Sequence, residues 1–176
     1  SCNIGTRQGC VISPIIFVLY LNELVDMSVE SNCQGIYVNE DHPNVNLLLY
    51  ADDLVIVGDQ VNRVQKMLNV LAQFCNLWGL QVNMKKTQAM IYRNGGVIKK
   101  NEAFYFNAMK IDNVSYYKYL GVTMSTRLSW SPAQATLAAQ ANKALHVLNQ
   151  VNYNCDYSFV CACKLFDKCV VPIITY

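Results

Sequence analysis

An excess of one charge sign is the first thing missing from this 176-residue chain: 14 Lys and Arg stand against 12 Asp and Glu, for a formal net charge of +2. A protein that holds nucleic acid by non-specific electrostatics alone carries a much larger basic surplus. Charge therefore neither demands nor excludes a nucleic-acid partner. Long apolar runs are missing too. The longest, Ile15 to Leu21, is far short of the ~20 residues that a membrane span needs, and no charged-then-apolar leader opens the chain. Paired Cys-x-x-Cys spacing is absent among the eight cysteines, Cys2, Cys10, Cys33, Cys75, Cys155, Cys161, Cys163 and Cys169, which weighs against a zinc cluster. Most of them sit inside apolar periodic segments of a chain larger than disulfide-stapled scaffolds, so they read as reduced core residues of an intracellular protein, in nucleus or cytoplasm. His42 and His146 have no ligand-spaced partner, and no internal repeat or low-complexity tract is visible. What is present is apolar material, 53% of the residues, enough to bury a sizeable core.

Gly5-Thr6-Arg7-Gln8-Gly9 is a glycine-punctuated loop, and Ser13-Pro14 after it has the form of an N-cap with proline at the first helical position. The helix that follows is apolar nearly all round from Ile15 to Leu24, the mark of a buried helix. Asn46 to Tyr50 and Leu54 to Val57 are short strand-like runs flanking Ala51-Asp52-Asp53, a spacing that suits a tight hairpin with the acidic pair at its tip. Apolar residues at 61, 64, 67, 68, 71, 74, 75 and 78 define one face of a helix from Val61 to Trp78, stopped by Gly79. Strands are expected at Gln88 to Tyr92 and Ala103 to Phe106, with the turn signal Asn94-Gly95-Gly96 between them, and a third stretch at Tyr116 to Met124. Ser131-Pro132 opens an Ala-rich helix to about Asn149, and a second helix covers Phe159 to Val170. The composition shift after Ser125 puts a subdomain boundary near residue 126.

Two adjacent carboxylates at a hairpin tip repel each other, and such a pair is kept most readily when cations neutralise it. Mg²⁺ is the hard, oxygen-loving candidate, with Mn²⁺ as an alternative. Two such ions about 4 Å apart serve in-line phosphoryl displacement. An Asp-Asp dipeptide alone is more often a solvated turn, because Asp is among the commonest turn residues.

The segment Leu47 to Val55, with Tyr50-Ala51-Asp52-Asp53 at its centre, closely resembles the catalytic turn of reverse transcriptases. Gly5 to Gly9 with Ser13-Pro14 and Phe17 resembles the family's template and nucleotide loop, Gly79-Leu80, Asn83 and Lys86-Thr87 its next motif, and Tyr119-Leu120-Gly121 its primer-grip hairpin. The wording, above all Leu21-Asn22-Glu23-Leu24 and the spacing through Tyr119-Leu120-Gly121, is most similar to polymerases of non-LTR, LINE-type retrotransposons, with group II intron enzymes as the nearest competitor. The resemblance implies an α+β fold, a partial palm over residues 1–125 followed by a helical, thumb-like region over 126–176. It implies Asp52 as the principal metal ligand with Asp53 beside it, and Tyr50 packed beneath the turn. Gln8 and Gly9 would lie along template and nucleotide, Lys86 near the departing pyrophosphate, and Tyr119, Leu120 and Gly121 at the primer. A solvated lysine beside Lys85 is an equally good reading of Lys86, and Leu120 fits the core. Arg7, Arg63 and Arg127 stay outside the site, and Trp78 and Trp130 fit core packing better than base stacking. The implied partners are an RNA template, a DNA primer and deoxynucleoside triphosphates, with no membrane and no small-molecule cofactor beyond metal.

In the family a further catalytic Asp lies on a strand before the glycine-punctuated loop, and none of Asp26, Asp41, Asp59, Asp112, Asp156 or Asp167 is placed to replace it. The chain is expected to be a piece of a longer polymerase and, by itself, not to polymerise DNA. The alternative is a truncated retroelement remnant acting at most as a nucleic-acid or protein-binding module. An unpaired sheet edge beside the catalytic turn predicts poor solubility.

Overall fold

Proline without an N–H costs a helix nothing in its first turn, and the first helix, α1 (Ser13–Glu30), carries Pro14 there. The computed structural model describes residues 12–41, 44–95, 102–155 and 158–175. The N-cap position falls to Ile12, which offers no side-chain bond, so Ser13 enters the helix rather than capping it. The chain divides into two compact units, Ser1–Ala89 with Val97–Asn113 and Met90–Gly96 with Val114–Tyr176.

In the first unit α1 is followed by the antiparallel hairpin β1 (Leu47–Tyr50) and β2 (Asp53–Ile56), then α2 (Val61–Trp78). Gly79 ends α2 with φ +66°, the left-handed conformation that glycine adopts without a Cβ penalty. A three-stranded sheet, in the order β3 (Gln88–Ala89), β5 (Met109–Asn113), β4 (Phe104–Phe106), completes the unit. β4 and β5 are antiparallel and closed by Asn107-Ala108, while β3 runs parallel to β5 for two residues. The expected strand from Gln88 to Tyr92 is cut at Ala89, because its ladder partner ends at Asn113 and the chain then passes into the other unit.

α2 is the centre of this unit. Its apolar stripe buries Met67, Leu68, Val70, Leu71, Phe74 and Cys75, and it packs on α1, β4 and β2. Leu24 of α1 and Phe104, Phe106 and Ile111 of the sheet join that core. Tyr20 packs edge-on against Trp78 at 4.4 Å between ring centroids and donates its hydroxyl to the Trp78 carbonyl at 3.2 Å. The expectation of a fully buried α1 is corrected: Leu21, Leu24 and Ser28 are buried, whereas Val18, Leu19 and Val29 are more than 60% exposed among the described residues. One neighbouring helix can cover only one stripe of a helix that is apolar all round.

In the second unit β6 (Tyr116–Tyr119) and β7 (Val122–Ser125) form an antiparallel hairpin closed by Leu120-Gly121. Arg93 donates its N–H to the Thr126 carbonyl at 3.1 Å, so the segment after β3 lies alongside this hairpin's end. α3 (Ser131–Cys155), α4 (Phe159–Cys169) and the short α5 (Val171–Ile174) pack together, with α3 against β7. Ser158 caps α4 by accepting from the Cys161 N–H. Trp130, Cys163 and Cys169 are exposed rather than core residues. The fold is α+β, with small, mainly antiparallel sheets and packed helices.

Candidate functional site

The β1–β2 hairpin presents the acidic pair. Four cross-strand pairs, from Leu47↔Ile56 to Tyr50↔Asp53, leave only Ala51 and Asp52 in the turn. Ala51 takes φ +50°, which a two-residue hairpin turn requires at its first central position and which glycine meets most cheaply. The alanine therefore carries a local strain of about 1 kcal/mol. Asp52 lies in the turn, Asp53 opens β2, and both are exposed.

Among the described residues neither carboxylate has a hydrogen-bonding or ion-pairing partner; the one ion pair is Arg63 with Asp59, at 2.9 Å, at the start of α2. Two unpartnered carboxylates whose oxygens face water are donors suited to a hard divalent cation, so the residues present fit such an ion. They do not by themselves make a closed site. Among the described residues no group of three His, Cys, Asp or Glu side chains could hold a metal.

Tyr50 stands at the end of β1 with 62% of its surface exposed, so packing beneath the turn is not made by the described residues. Lys86 is exposed in a turn organised by Asn83, whose side-chain oxygen accepts from the Lys85 N–H at 3.1 Å and whose carbonyl accepts from the Lys86 N–H at 3.0 Å. Tyr119, Leu120 and Gly121 form the tip of the β6–β7 hairpin in the second unit. Leu120 and Gly121 both adopt positive φ, +46° and +90°, and Leu120 is exposed instead of lying in the core. Gln8 and Gly9 lie outside the described residues.

What the motif reading misses is the support under the hairpin. Asn44 and Asn46, at the root of β1, bond back to the turn that follows α1. Nothing in their spacing announces this, because isolated asparagines before a strand are common loop residues. Among the described residues no helix is long and apolar enough to cross a membrane.

The family described as reverse transcriptase (RNA-dependent DNA polymerase) matches residues 2–124. The chain is 24% identical over 179 residues to the "Probable RNA-directed DNA polymerase from transposon BS" of Drosophila melanogaster, covering 98% of this chain and 19% of that protein. It is 30% identical over 127 residues to the "Retrovirus-related Pol polyprotein from type-1 retrotransposable element R2" of Popillia japonica, covering 66% of this chain and 17% of that one. It is 23% identical over 133 residues to the "RNA-directed DNA polymerase from mobile element jockey" of Drosophila melanogaster, covering 72% of this chain and 14% of that one. The chain thus spans less than a fifth of the length of each of these curated relatives. No solved structure matches it at a significant level. R2 and jockey are non-LTR retrotransposons, in line with the LINE-type wording of the motifs. With the family match extending over most of its length and the Tyr-Ala-Asp-Asp segment at a hairpin tip, this chain belongs to the reverse transcriptase family.

Proposed function

We propose that the chain is the part of an RNA-directed DNA polymerase that carries the later palm motifs, residues 1–125, and a thumb-like helical region, residues 126–176. In the longer protein Asp52 and Asp53 hold Mg²⁺ or Mn²⁺ for nucleotidyl transfer onto a DNA primer along an RNA template. The observation that carries this reading is the exposed, unpartnered carboxylate pair at a two-residue hairpin tip in a chain of this family. Divalent cations bound there would activate the attacking hydroxyl and stabilise the leaving oxygen of an in-line displacement.

The chain's own residues supply direction and charge. Asp52 in the turn and Asp53 at the start of β2, where it pairs with Tyr50, put two hard oxygen ligands at the hairpin tip. Gln8 and Gly9 line the template and nucleotide, Gly9 because a residue without a side chain lets backbone approach closely. Lys86 places positive charge where pyrophosphate departs, and Tyr119, Leu120 and Gly121 grip the primer. Two carboxylates are too few for two metals, so the 176 residues alone are inactive.

Primer extension on an RNA template with Mg²⁺ or Mn²⁺ tests this, comparing the chain, a version extended upstream, and the extended version carrying Asp52→Asn. Activity is expected only in the extended, unmutated protein. Loss of a direct ligand should cost at least about 100-fold, since even outer partners of metal ligands are worth 10–100-fold. Silence in all three, with folded protein, would instead support a non-catalytic remnant.

A further inference from the structure

The β1–β2 hairpin carries the acidic pair at one end, and the other end is tied to α1 by an amide clamp. Asn46 accepts the Val57 N–H with its backbone carbonyl at 2.9 Å, which closes the base of the hairpin. Its side-chain amide donates twice, to the Cys33 carbonyl at 3.2 Å and to the Ser28 hydroxyl at 3.4 Å. Both amide hydrogens are thereby used. Ser28 is 1% exposed and donates its own proton to the Val25 carbonyl at 2.8 Å, one turn back in α1. Asn44 adds a second tie: it accepts from the Gly35 N–H at 2.6 Å and donates to the Cys33 carbonyl at 3.3 Å. The Cys33 carbonyl thus receives two amide donors, which fills its acceptor capacity. Between these two asparagines Val45 exchanges both backbone bonds with Ile36, each at 2.9 Å. A Cβ at Gly35 would run into the Val45 carbonyl, so this close approach requires glycine there.

We propose that Asn46, seconded by Asn44, is a positioning residue that sets the direction in which the hairpin presents Asp52 and Asp53. The proposal rests on the metal-binding reading of those two residues. The logic is a lever: the backbone bond of Asn46 holds the two strands together, its side chain holds them to α1, and the carboxylates ride at the far end. Asn46 bonds the Ser28 hydroxyl and the Cys33 carbonyl, and Asn44 bonds the Gly35 N–H and the same carbonyl; in a half-buried site such a network favours one arrangement. Asn46→Asp keeps the size and removes both donors, leaving carboxylate oxygen facing the Cys33 carbonyl. The new charge sits more than about 10 Å along the strand from the tip, beyond the reach of unscreened surface charge at physiological salt.

The test is amide hydrogen exchange followed residue by residue, with Mn²⁺ binding read separately from the electron paramagnetic resonance of the free and bound ion. In Asn46→Asp the β1–β2 amides should exchange about tenfold faster, the change expected from losing one to two hydrogen bonds in a locally opening unit. The α2 and β3–β5–β4 amides should keep their rates. Ser28→Ala, which removes one of the two acceptors, is the milder companion and should give roughly threefold by the same measure. Mn²⁺ affinity, measured in the upstream-extended protein, should fall several-fold in Asn46→Asp. Equal acceleration throughout the first unit, or unchanged hairpin rates, would overturn the proposal. So would faster hairpin exchange with Mn²⁺ affinity intact, because the clamp would then serve stability and not presentation. Failure of the upstream-extended, unmutated protein to bind Mn²⁺, or binding there that survives Asp52→Asn, would sink the metal reading itself, and the exchange pattern would still decide the clamp.

Discussion

Removing the side-chain amide of Gln65 should open the outer edge of β4. In an antiparallel pair, alternate residues turn their N–H and C=O groups away from the partner strand. Tyr105, between the paired Phe104 and Phe106, points its groups to the open side of the sheet, where β4 is the edge strand. Gln65, on α2, fills that position as a further strand would: its Nε2 donates to the Tyr105 carbonyl at 2.8 Å and its Oε1 accepts from the Tyr105 N–H at 2.9 Å. Each bond contributes about 0.5–1.5 kcal/mol net. Both are open to water, which sets them near the lower end, so the pair contributes about 1 kcal/mol or slightly more. Alanine returns a few tenths of a kcal/mol through its higher helix propensity. Gln65→Ala should therefore destabilise the first unit by about 1 kcal/mol. With a urea dependence of roughly 2 kcal/mol per molar, the midpoint should fall by about 0.5 M, with the slope unchanged. Gln65→Glu is the discriminating variant. It keeps the acceptor for the Tyr105 N–H but has no donor when ionised, and it should cost at least as much as alanine at neutral pH. A midpoint that stays put in both variants would refute the edge-strand reasoning. A changed slope would mean that the mutation acts on the unfolded chain.

Two glycines should respond differently to alanine. Gly79→Ala meets open space and suffers only the left-handed φ of +66°, about 1 kcal/mol. Gly35→Ala forces its Cβ into the Val45 carbonyl and should cost roughly 1–3 kcal/mol, as overpacking does; thermal melts of the two variants check the order. Burial pushes the Cys33 and Cys75 thiols above their ordinary value, with the nearby Lys66 pulling Cys33 partly back. A thiol raised in the folded state contributes stability that is complete below the unfolded value of about 8.5 and is lost as pH rises through the folded one. Unfolding midpoints should therefore decline in the alkaline range above about 8.5, and Cys163 and Cys169, which are exposed, should alkylate well before Cys33 and Cys75. On α1, Val18 and Leu19 lie on the uncovered side, and Val18→Lys with Leu19→Lys should raise the soluble fraction without lowering the melting temperature; sedimentation and melts would show either result.

Most of the fold is legible in the sequence where periodicity, a turn signal and a cap agree. α2 is found from Val61 to Trp78, because a clean apolar stripe and Gly79 mark its face and its end. The acidic hairpin follows from two apolar runs spaced for a two-residue turn. The misses have physical causes. β5 escapes because Met109–Asn113 contains a single buried apolar residue, Ile111, in a run whose other residues are exposed or half-buried. Its turn, Asn107-Ala108, is weaker as a signal than the Asn94-Gly95-Gly96 that drew attention instead. α1 reads as buried because composition reports that a helix needs cover and not how much cover the neighbours give. At the site, adjacency and motif spacing lead directly to Asp52 and Asp53. The clamp at Asn44 and Asn46 is invisible in sequence, since its partners Ser28, Cys33 and Gly35 are brought to it only by the turn after α1.

The two-residue loops give these hairpins a further property, that of a fixed ruler. The described antiparallel hairpins all turn on two residues, Ala51-Asp52, Asn107-Ala108 and Leu120-Gly121. A loop this short leaves no slack to absorb an inserted or deleted residue, and a one-residue slip exchanges the two faces of a strand. Around Asp52 the chain can change the identity of its outward residues more readily than it can change their number. A single extra codon between Tyr50 and Asp53 should do more harm than several substitutions along β1 and β2, because it would change where the hairpin presents the carboxylates while deleting no residue of the motif.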